Sequence, residues 1–171
     1  MIGKLNSKTC DKLDPIPTKV VKDCVDELLP VIRLIVNQVL ASGVYPDALK
    51  EGAVTPILKK RDLDSEILKH YRPVTQNSFL NKVVDREIQN QMTEYLKNAN
   101  LESPFQAGYR KNHSTETLLT ALYDNMLKDF DDGKAQILIT LDFSSAFDCI
   151  RVNQLTETLE EEFGFKETAL E

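Results

Sequence analysis

Residues 139–150 read ITLDFSSAFDCI and place an acidic side chain where an apolar run ends. The run occupies residues 137–141, ILITL, which is too short and too apolar for a surface helix and therefore predicts a central β-strand. Asp142 follows this strand directly, and Asp148 lies in the turn beyond it. A carboxylate at the exit of a buried strand is costly unless it faces solvent, accepts hydrogen bonds or holds a cation. Asp142 is therefore a candidate functional residue.

Three kinds of chemistry use an aspartate at this position. A phosphoacceptor of the receiver type would need further acids on other strands of a repeating α/β fold, and the helix-dominated first 130 residues argue against it. A nucleophile of the haloacid dehalogenase type needs a second aspartate two residues on, where this chain has Ser144. A two-metal polymerase site, in which Asp142 binds Mg²⁺, has neither conflict. A purely structural turn capped by Asp142 stays open beside it.

The first half of the chain reads as helices with two short extended segments. One helix is predicted to open at residues 14–17, DPIP, and a second to run from Pro30 to Gly43. Residues 52–60 are predicted to be extended because Pro56 would break a helix and would be confined to an edge of a sheet. Residues 70–74 are predicted to be extended because the residue before a proline is disfavoured in the helical region.

The second half continues with helical patterns. A helix is predicted over residues 78–98, and another begins after Ser114 as N-cap. Its apolar stripe is expected to be buried in the core and consists of Leu118, Leu122, Met126 and Phe130. Asp131, Asp132 and Gly133 are predicted to end this helix. A last helix is predicted to end at Gly164.

Composition narrows the class of protein. The 171 residues, 42% of them hydrophobic, suit one globular domain of the helix-rich α+β class. Cys10, Cys24 and Cys149 are too scattered to indicate a zinc site or a disulfide framework. No window approaches the roughly 20 apolar residues of a membrane span, and the N-terminus has no apolar signal core. The composition predicts an intracellular protein that is not a membrane protein, and it does not separate nucleus from cytoplasm.

Charge is distributed unevenly along the chain. The formal net charge is −6, and it arises within residues 141–171, while the preceding residues are neutral overall. A modest basic patch is gathered in one segment and comprises Lys50, Lys59, Lys60, Arg61, Lys69 and Arg72. The acidic balance argues against a free-standing nucleic-acid binder, whereas the basic segment leaves local phosphate contacts open.

Five collinear stretches give the chain a family resemblance. They are DPIPTKVVKDC, SGVYPDALKEGAVTPILKK, HYRPVTQNSFLNKVVDR, SPFQAGYRKNHSTETLL and ITLDFSSAFDCI. Together they resemble the reverse transcriptases of non-LTR retrotransposons, particularly the jockey and chicken-repeat-like branches, over residues 4–165. The last stretch resembles motif A of that family.

The resemblance implies a role for each matching residue. Asp142 would be the catalytic carboxylate and a ligand of Mg²⁺, with the backbone carbonyl of Phe143 as a further ligand. The residues implied to hold the incoming deoxynucleotide are Lys59, Arg72, Phe143 and Phe147, the last as a steric gate against a ribose 2′-hydroxyl. For Phe147, core packing remains the alternative. Contacts with the template strand are implied for Gln106, Gly108 and Arg110.

The resemblance also implies an architecture and partners. Residues 1–134 would form the fingers-like helical region with short extended segments, and residues 135–171 would form the start of the palm, with the motif A strand, a turn and a helix. The resemblance thus implies a truncated right-hand polymerase fold, with an RNA template and a DNA primer as partners.

No Asp-Asp hairpin follows Asp142 in the sequence. The chain is therefore expected to be inactive alone, because two-metal transfer needs further carboxylates. The alternative is a nucleic-acid-binding or protein-interaction module derived from the retroelement. An incomplete sheet around residues 137–141 would also offer a route to self-association.

Overall fold

Helices dominate the regular structure, and one β-hairpin accompanies them. The computed structural model describes residue 2, residues 12–143 and residues 146–170. Within them the elements are α1 (Thr18–Asp23), α2 (Val25–Ser42), α3 (Asp47–Lys50), β1 (Gly52–Leu58), β2 (Tyr71–Asn77), α4 (Phe79–Asn98), α5 (Thr115–Asp131) and α6 (Val152–Glu161), with short 3₁₀ helices at Leu68–His70 and Glu167–Ala169. The prediction of a helix-rich protein with a small amount of sheet is confirmed.

The chain divides into two units, and the hydrophobic core lies in the first. This unit comprises Met1–Tyr95 and Leu159–Glu171, and the second comprises Leu96–Thr158. The core is built from apolar residues of α2, α3 and α4, joined by Ile2: Ile32, Val36, Val39, Leu49, Phe79, Val83 and Val84. Val83 and Val84 are the most deeply buried of these side chains. Burial of this apolar surface is the main source of stability for α2 and α4.

The β-hairpin confirms the two extended segments predicted from the prolines. β1 and β2 pair in antiparallel register, with Gly52 opposite Asn77 and Leu58 opposite Tyr71. Pro56 lies directly opposite Pro73. Both strands of a two-stranded sheet are edge strands, which is where a proline without an amide hydrogen is tolerated. His70, which was predicted to be extended, instead ends a 3₁₀ turn.

The start of the second helix was predicted wrongly. α2 begins at Val25, so Pro30 lies inside the helix instead of opening it. An internal proline costs about 3 kcal/mol, but the helix on both sides of Pro30 packs its apolar face on the core, with Val25 partly buried and Ile32 buried. Its end was predicted correctly: Gly43 has φ 70° and its amide donates to the carbonyl of Val39.

Both ends of α5 form as predicted, but its apolar stripe does not. The hydroxyl of Ser114 accepts a hydrogen bond from the amide of Thr117, and the Thr117 hydroxyl accepts one from the amide of Ser114. Gly133, with φ 72°, follows the C-terminal end. The predicted burial of the stripe is wrong, because α5 has no buried residue and Phe130 is 77% exposed. Helical spacing identifies one face of α5 but not what covers that face.

The predicted strand at residues 137–141 is also wrong for the described residues. This segment has no regular secondary structure, and Ile137, Ile139 and Leu141 are largely exposed. A strand requires hydrogen bonds to a neighbouring strand. In the part of the chain that the structure describes, β1 and β2 pair only with each other. The apolar composition of residues 137–141 therefore does not suffice to make a strand here.

The last predicted helix forms and ends near the predicted glycine. α6 stops at Glu161, and Gly164, with φ 72°, donates its amide to the carbonyl of Glu160. Cys24 and Cys149 are free thiols, and Cys10 lies outside the described residues. Among the helices that the structure describes, none is long and apolar enough to cross a membrane.

Candidate nucleotide-binding and metal-binding residues

Lys59 and Arg72 lie on one face of the hairpin. Arg72 is directly opposite Ile57, and the amide of Lys59 donates to the carbonyl of His70, which extends the pairing one residue beyond β1. Side chains two residues apart along a strand share a face, so Lys59 is on the face of Ile57 and Arg72. Diagonal neighbours of this kind are separated by about 7–8 Å. The two cations can therefore contact one polyanionic group.

Both cations are exposed. The Nζ of Lys59 donates to the carbonyl of Lys69 at 2.7 Å, which leaves two further N–H bonds of the ammonium for a ligand. In residues 12–143 and 146–170, no hydrogen bond or ion pair engages the guanidinium of Arg72. A planar guanidinium fork and a mobile ammonium are well suited to phosphate oxygens. The hairpin thus presents two exposed cations of the kinds that bind phosphate oxygens elsewhere.

A polar cluster holds the chain just before the hairpin. Asn81, a buried residue of α4, donates from its side-chain amide to the carbonyl of Leu49 at 2.8 Å. The hydroxyl of Tyr45 shares its one hydrogen between the Asn81 side-chain oxygen and the Asp85 carboxylate, which lies 2.9 Å away. Partial burial and then the Asp85 carboxylate raise the pKa of the Tyr45 phenol well above its usual range. These contacts fix α3, and with it the entry to β1, against α4.

The N-terminus of α4 carries a second long-range contact. Both carboxylate oxygens of Asp14 accept from the amide of Phe79 at 2.9 Å, and the hydroxyl of Ser78 accepts from the amide of Asn81 at 3.2 Å. Acidic groups at a helix N-terminus satisfy amides that have no partner within the helix. Because α4 follows β2 after one residue, this cap also fixes the exit of the hairpin.

Sequence reasoning missed the members of this cluster. Asn81 lies three residues before Val84, four before Asp85 and seven before Ile88. At these spacings it shares their helical face. A polar residue beside the apolar Val84 and Ile88 on this face was the signal that could have identified Asn81. No local pattern indicates that Asp14 would cap a helix that begins 65 residues later.

The three residues predicted to contact the template lie in one loop. The side-chain amide of Gln106 donates to the carbonyl of Gly108 at 3.2 Å. The guanidinium of Arg110 donates to the carbonyl of Ser103 at 3.0 Å and forms an ion pair with Glu102 at 3.4 Å. A Cβ at Gly108 would meet no atom within 4 Å. The space beside Gly108 is therefore open, while Arg110 is engaged in holding the loop.

The remaining predicted residues lie between α5 and α6 in an exposed segment. Asp142, Phe143 and Phe147 are all exposed, and Phe147 is 77% accessible, so it does not pack in a core. Residues 144 and 145 lie outside the described part of the chain. The structure thus places Asp142, Phe143 and Phe147 in one segment of the second unit.

The residues around Asp142 do not make a complete cation site. In the described ranges no group of three or more His, Cys, Asp or Glu side chains could hold a metal ion. Asp142 supplies one hard oxygen donor of the type that Mg²⁺ prefers. A two-metal centre needs more carboxylates than this, so these residues alone do not fit the pair of cations.

The comparisons with known proteins identify the family of the chain. The profile of the family described as reverse transcriptase (RNA-dependent DNA polymerase) matches residues 57–169, a range that contains every predicted site residue. No solved structure gives a significant match.

Three curated relatives come from mobile elements. The RNA-directed DNA polymerase from mobile element jockey of Drosophila melanogaster is 26% identical over 86% of this chain and 16% of its own length. The jockey polymerase of Drosophila funebris is 27% identical over the same shares. The probable RNA-directed DNA polymerase from transposon BS of Drosophila melanogaster is 28% identical over 68% of this chain and 13% of its own. The chain thus spans about one sixth of the jockey polymerases, and because the family profile matches more than half of it, the chain belongs to the reverse transcriptase (RNA-dependent DNA polymerase) family.

Proposed function

We propose that this chain supplies the nucleotide-binding and template-binding part of an RNA-directed DNA polymerase of a non-LTR retrotransposon. Residues 1–134 form the fingers in this proposal, and residues 135–171 begin the palm. The family match over residues 57–169 and the mobile-element relatives support it. The substrates are an RNA template, a DNA primer and deoxynucleoside triphosphates. An independent binding or interaction module is not favoured, because the relatives are named as polymerases.

The shared hairpin face of Lys59 and Arg72 is the observation that carries the proposal. A deoxynucleoside triphosphate bears its charge on adjacent phosphates. Two exposed cations whose backbone positions are about 7–8 Å apart can contact neighbouring phosphates at once. Arg72 offers a bidentate fork, and Lys59 offers a point charge that can follow the departing pyrophosphate. The polar cluster at α3 and α4 holds the ends of the hairpin, so that this face is preorganised.

The exposed segment around Asp142 has a separate role in the proposal. Asp142 and the carbonyl of Phe143 would be oxygen donors toward Mg²⁺, and the bound cation would supply stabilisation of the negative charge on the phosphates. The ring of Phe147 is the wall that rejects a ribose 2′-hydroxyl. Since the described residues do not complete a two-cation site, we assign no transfer step to this segment alone. We retain the intracellular location as a prediction.

Calorimetric titration of the chain with dTTP tests the hairpin assignment. Lys59→Gln and Arg72→Gln each remove a charge-assisted hydrogen bond of about 1.5–3 kcal/mol, so each is expected to weaken binding roughly tenfold or more. Arg61→Gln is the matched control, because it removes one exposed positive charge from the loop that joins β1 to β2.

Arg61→Gln is expected to change the dTTP affinity less than twofold at 150 mM salt, where distant charges are screened. If all three variants lost the same dTTP affinity, the binding would depend only on the total positive charge of the hairpin. That result would remove the support for the proposal. Titration with thymidine, which has no phosphates, is expected to give no signal in any of them.

A further inference from the structure

The hairpin face that carries Lys59 and Arg72 includes a third side chain with N–H groups, that of His70. His70 ends the 3₁₀ turn, but its carbonyl still takes part in the strand pairing, because it accepts from the amide of Lys59 at 2.8 Å. His70 is therefore opposite Lys59, just as Arg72 is opposite Ile57. Directly opposite residues of an antiparallel pair, and residues two apart along one strand, share a face.

One ring nitrogen of His70 is fixed by the loop that joins β1 to β2. Nδ1 lies 2.8 Å from the carbonyl oxygen of Asp64. A carbonyl oxygen only accepts hydrogen bonds, so Nδ1 carries a hydrogen in both the neutral and the charged ring. Nε2 is therefore the nitrogen that gains or loses a proton. In residues 12–143 and 146–170 no hydrogen bond or ion pair engages Nε2, and His70 is partly exposed, so Nε2 is open to a ligand.

Two further hydrogen bonds hold the loop around this ring. The hydroxyl of Tyr71 donates to the carbonyl of Ser65 at 3.0 Å. The Nζ of Lys59 donates to the carbonyl of Lys69 at 2.7 Å. With the bond from Nδ1, the loop is tied to both strands of the hairpin. The position of the His70 ring is thus set by the chain itself before any ligand binds.

The charges near the ring are of both signs. They belong to Lys59 and Arg72 on the hairpin face, and to Asp64, Glu66 and Lys69 in the loop. The Asp64 carboxylate accepts from the amide of Glu66 at 2.9 Å, so it is engaged within the loop. A phosphate chain that contacts Lys59 and Arg72 brings negative charge to the face of His70. A nearby negative charge favours the charged imidazolium over the neutral ring.

We propose that His70 is a third binding residue for the triphosphate of the incoming deoxynucleotide, and that its ring takes up a proton when the triphosphate binds. This inference rests on the proposed function and adds a pH-dependent contact to the residues that the family resemblance implies. The proton comes from solvent and goes to Nε2, which then donates to a phosphate oxygen. No covalent bond of the phosphates forms or breaks. The affinity for dTTP therefore depends on pH in the range between pH 5 and pH 8, where histidine changes its charge.

Calorimetric titration with dTTP at pH 6 and at pH 8 tests the inference. His70→Asn keeps a side-chain N–H for the Asp64 carbonyl but has no counterpart of Nε2. The variant provides the baseline, because a terminal phosphate also changes its charge near pH 6. From pH 8 to pH 6, the affinity of the natural chain divided by that of His70→Asn is expected to rise about five- to tenfold, since a charge-assisted hydrogen bond replaces a weaker contact.

His113→Asn is the matched control. His113 is the second of the two histidines of the chain, and its Nδ1 also lies beside a carbonyl oxygen, that of Lys111, at 3.0 Å. It is exposed and lies outside the hairpin. His113→Asn is expected to match the affinity of the natural chain within about twofold at both pH values, because exposed charges beyond a Debye length are screened.

Proton uptake separates binding by Nε2 from a purely structural role. Titration at pH 7 in two buffers of different ionisation enthalpy measures the protons taken up per bound dTTP. The natural chain and His113→Asn are expected to take up more protons than His70→Asn. If His70 only held the loop, its replacement by asparagine would leave the proton uptake unchanged.

Nitrogen resonances of the histidine rings provide a test that needs no variant. At pH 7, dTTP is expected to move the Nε2 signal of His70 toward that of the charged imidazolium, while Nδ1 stays protonated. Thymidine, which has no phosphates, is expected to move neither signal. An Nε2 signal that stayed unchanged at saturating dTTP would overturn the inference, whether or not His70→Asn folds.

The outcomes distinguish this inference from the proposed function. Binding of dTTP with the same pH dependence and the same proton uptake in the natural chain and in His70→Asn would overturn the inference and leave the assignment of Lys59 and Arg72 intact. Absence of dTTP binding to the natural chain at both pH values would overturn both. A pH dependence that was lost in His113→Asn and kept in His70→Asn would also overturn the inference.

Discussion

Replacement of Asn81 by alanine tests the polar cluster that supports the hairpin. Asn81 is 6% exposed, and its side-chain amide donates to the carbonyl of Leu49, a residue that is itself buried. Loss of one partner of a buried pair costs about 1–3 kcal/mol for the carbonyl left without a donor, and the bond from Tyr45 contributes about 1 kcal/mol more. The better helix propensity of alanine returns roughly 0.6 kcal/mol. We expect the free energy of unfolding to fall by about 2–3 kcal/mol.

Thermal melting followed by far-ultraviolet circular dichroism measures this change. For a chain of this size a loss of 2–3 kcal/mol corresponds to a fall in Tm of roughly 5–10 °C. Gln89→Ala is the matched control, since Gln89 is an exposed amide on the same helix and its replacement is expected to change the free energy of unfolding by less than about 0.5 kcal/mol. If Asn81→Ala lowered Tm no more than Gln89→Ala, the cluster would not stabilise the fold and our account of the hairpin's preorganisation would be wrong.

Three further predictions concern local features. The pKa of Tyr45 is raised in the folded chain, so its contribution to stability is complete below the ordinary pKa of about 10 and is lost as pH rises through the folded pKa. Between pH 8 and pH 11 the free energy of unfolding, measured by chemical denaturation, is therefore expected to fall more for the natural chain than for Tyr45→Phe. Ser114→Ala removes a capping box and is expected to destabilise the first turn of α5 by about 1 kcal/mol, measured by amide hydrogen exchange; unchanged exchange would contradict it. Gly164→Ala is expected to lower stability by about 1–2 kcal/mol, because φ is 72° and its Cβ would lie 3.1 Å from the Tyr95 hydroxyl, whereas Gly108→Ala, in open space, is expected to leave Tm unchanged.

Local sequence signals predicted the elements that depend on local chemistry. The prolines identified β1 and β2, the Ser114 cap identified the start of α5, and Gly43 identified the end of α2. In each case one residue limits the backbone to a few conformations or satisfies a specific amide. Such signals need no knowledge of the rest of the fold.

Features that depend on distant partners could not be predicted in the same way. Residues 137–141 have the composition of a buried strand, but a strand also needs a neighbour, and nothing in five apolar residues specifies one. The apolar stripe on α5 likewise identifies one face of the helix but not the residues that would pack against it, and Phe130 remains exposed. Pro30 was placed at a helix start because its local cost is large, whereas packing of the surrounding helix on the core outweighs that cost.

The residues of the candidate site also divide into those that local motifs predicted and those that depend on the folded chain. Lys59 and Arg72 were predicted from motifs, and the register of the hairpin then showed that they share a face. The buried Asn81 was missed, because burial is a property of the folded chain. The sequence thus predicted Lys59 and Arg72, and the structure added Asn81, which supports the chain just before the hairpin.

Nuclear magnetic resonance of the isotope-labelled chain with dTTP tests the central claim most directly. If Lys59 and Arg72 form the triphosphate-binding face, the largest amide shift changes are expected within residues 52–77. Thymidine is expected to cause none of them, and Arg72→Gln is expected to reduce them at the same dTTP concentration. Shift changes that avoid the hairpin, or that persist unaltered in Arg72→Gln, would contradict the account.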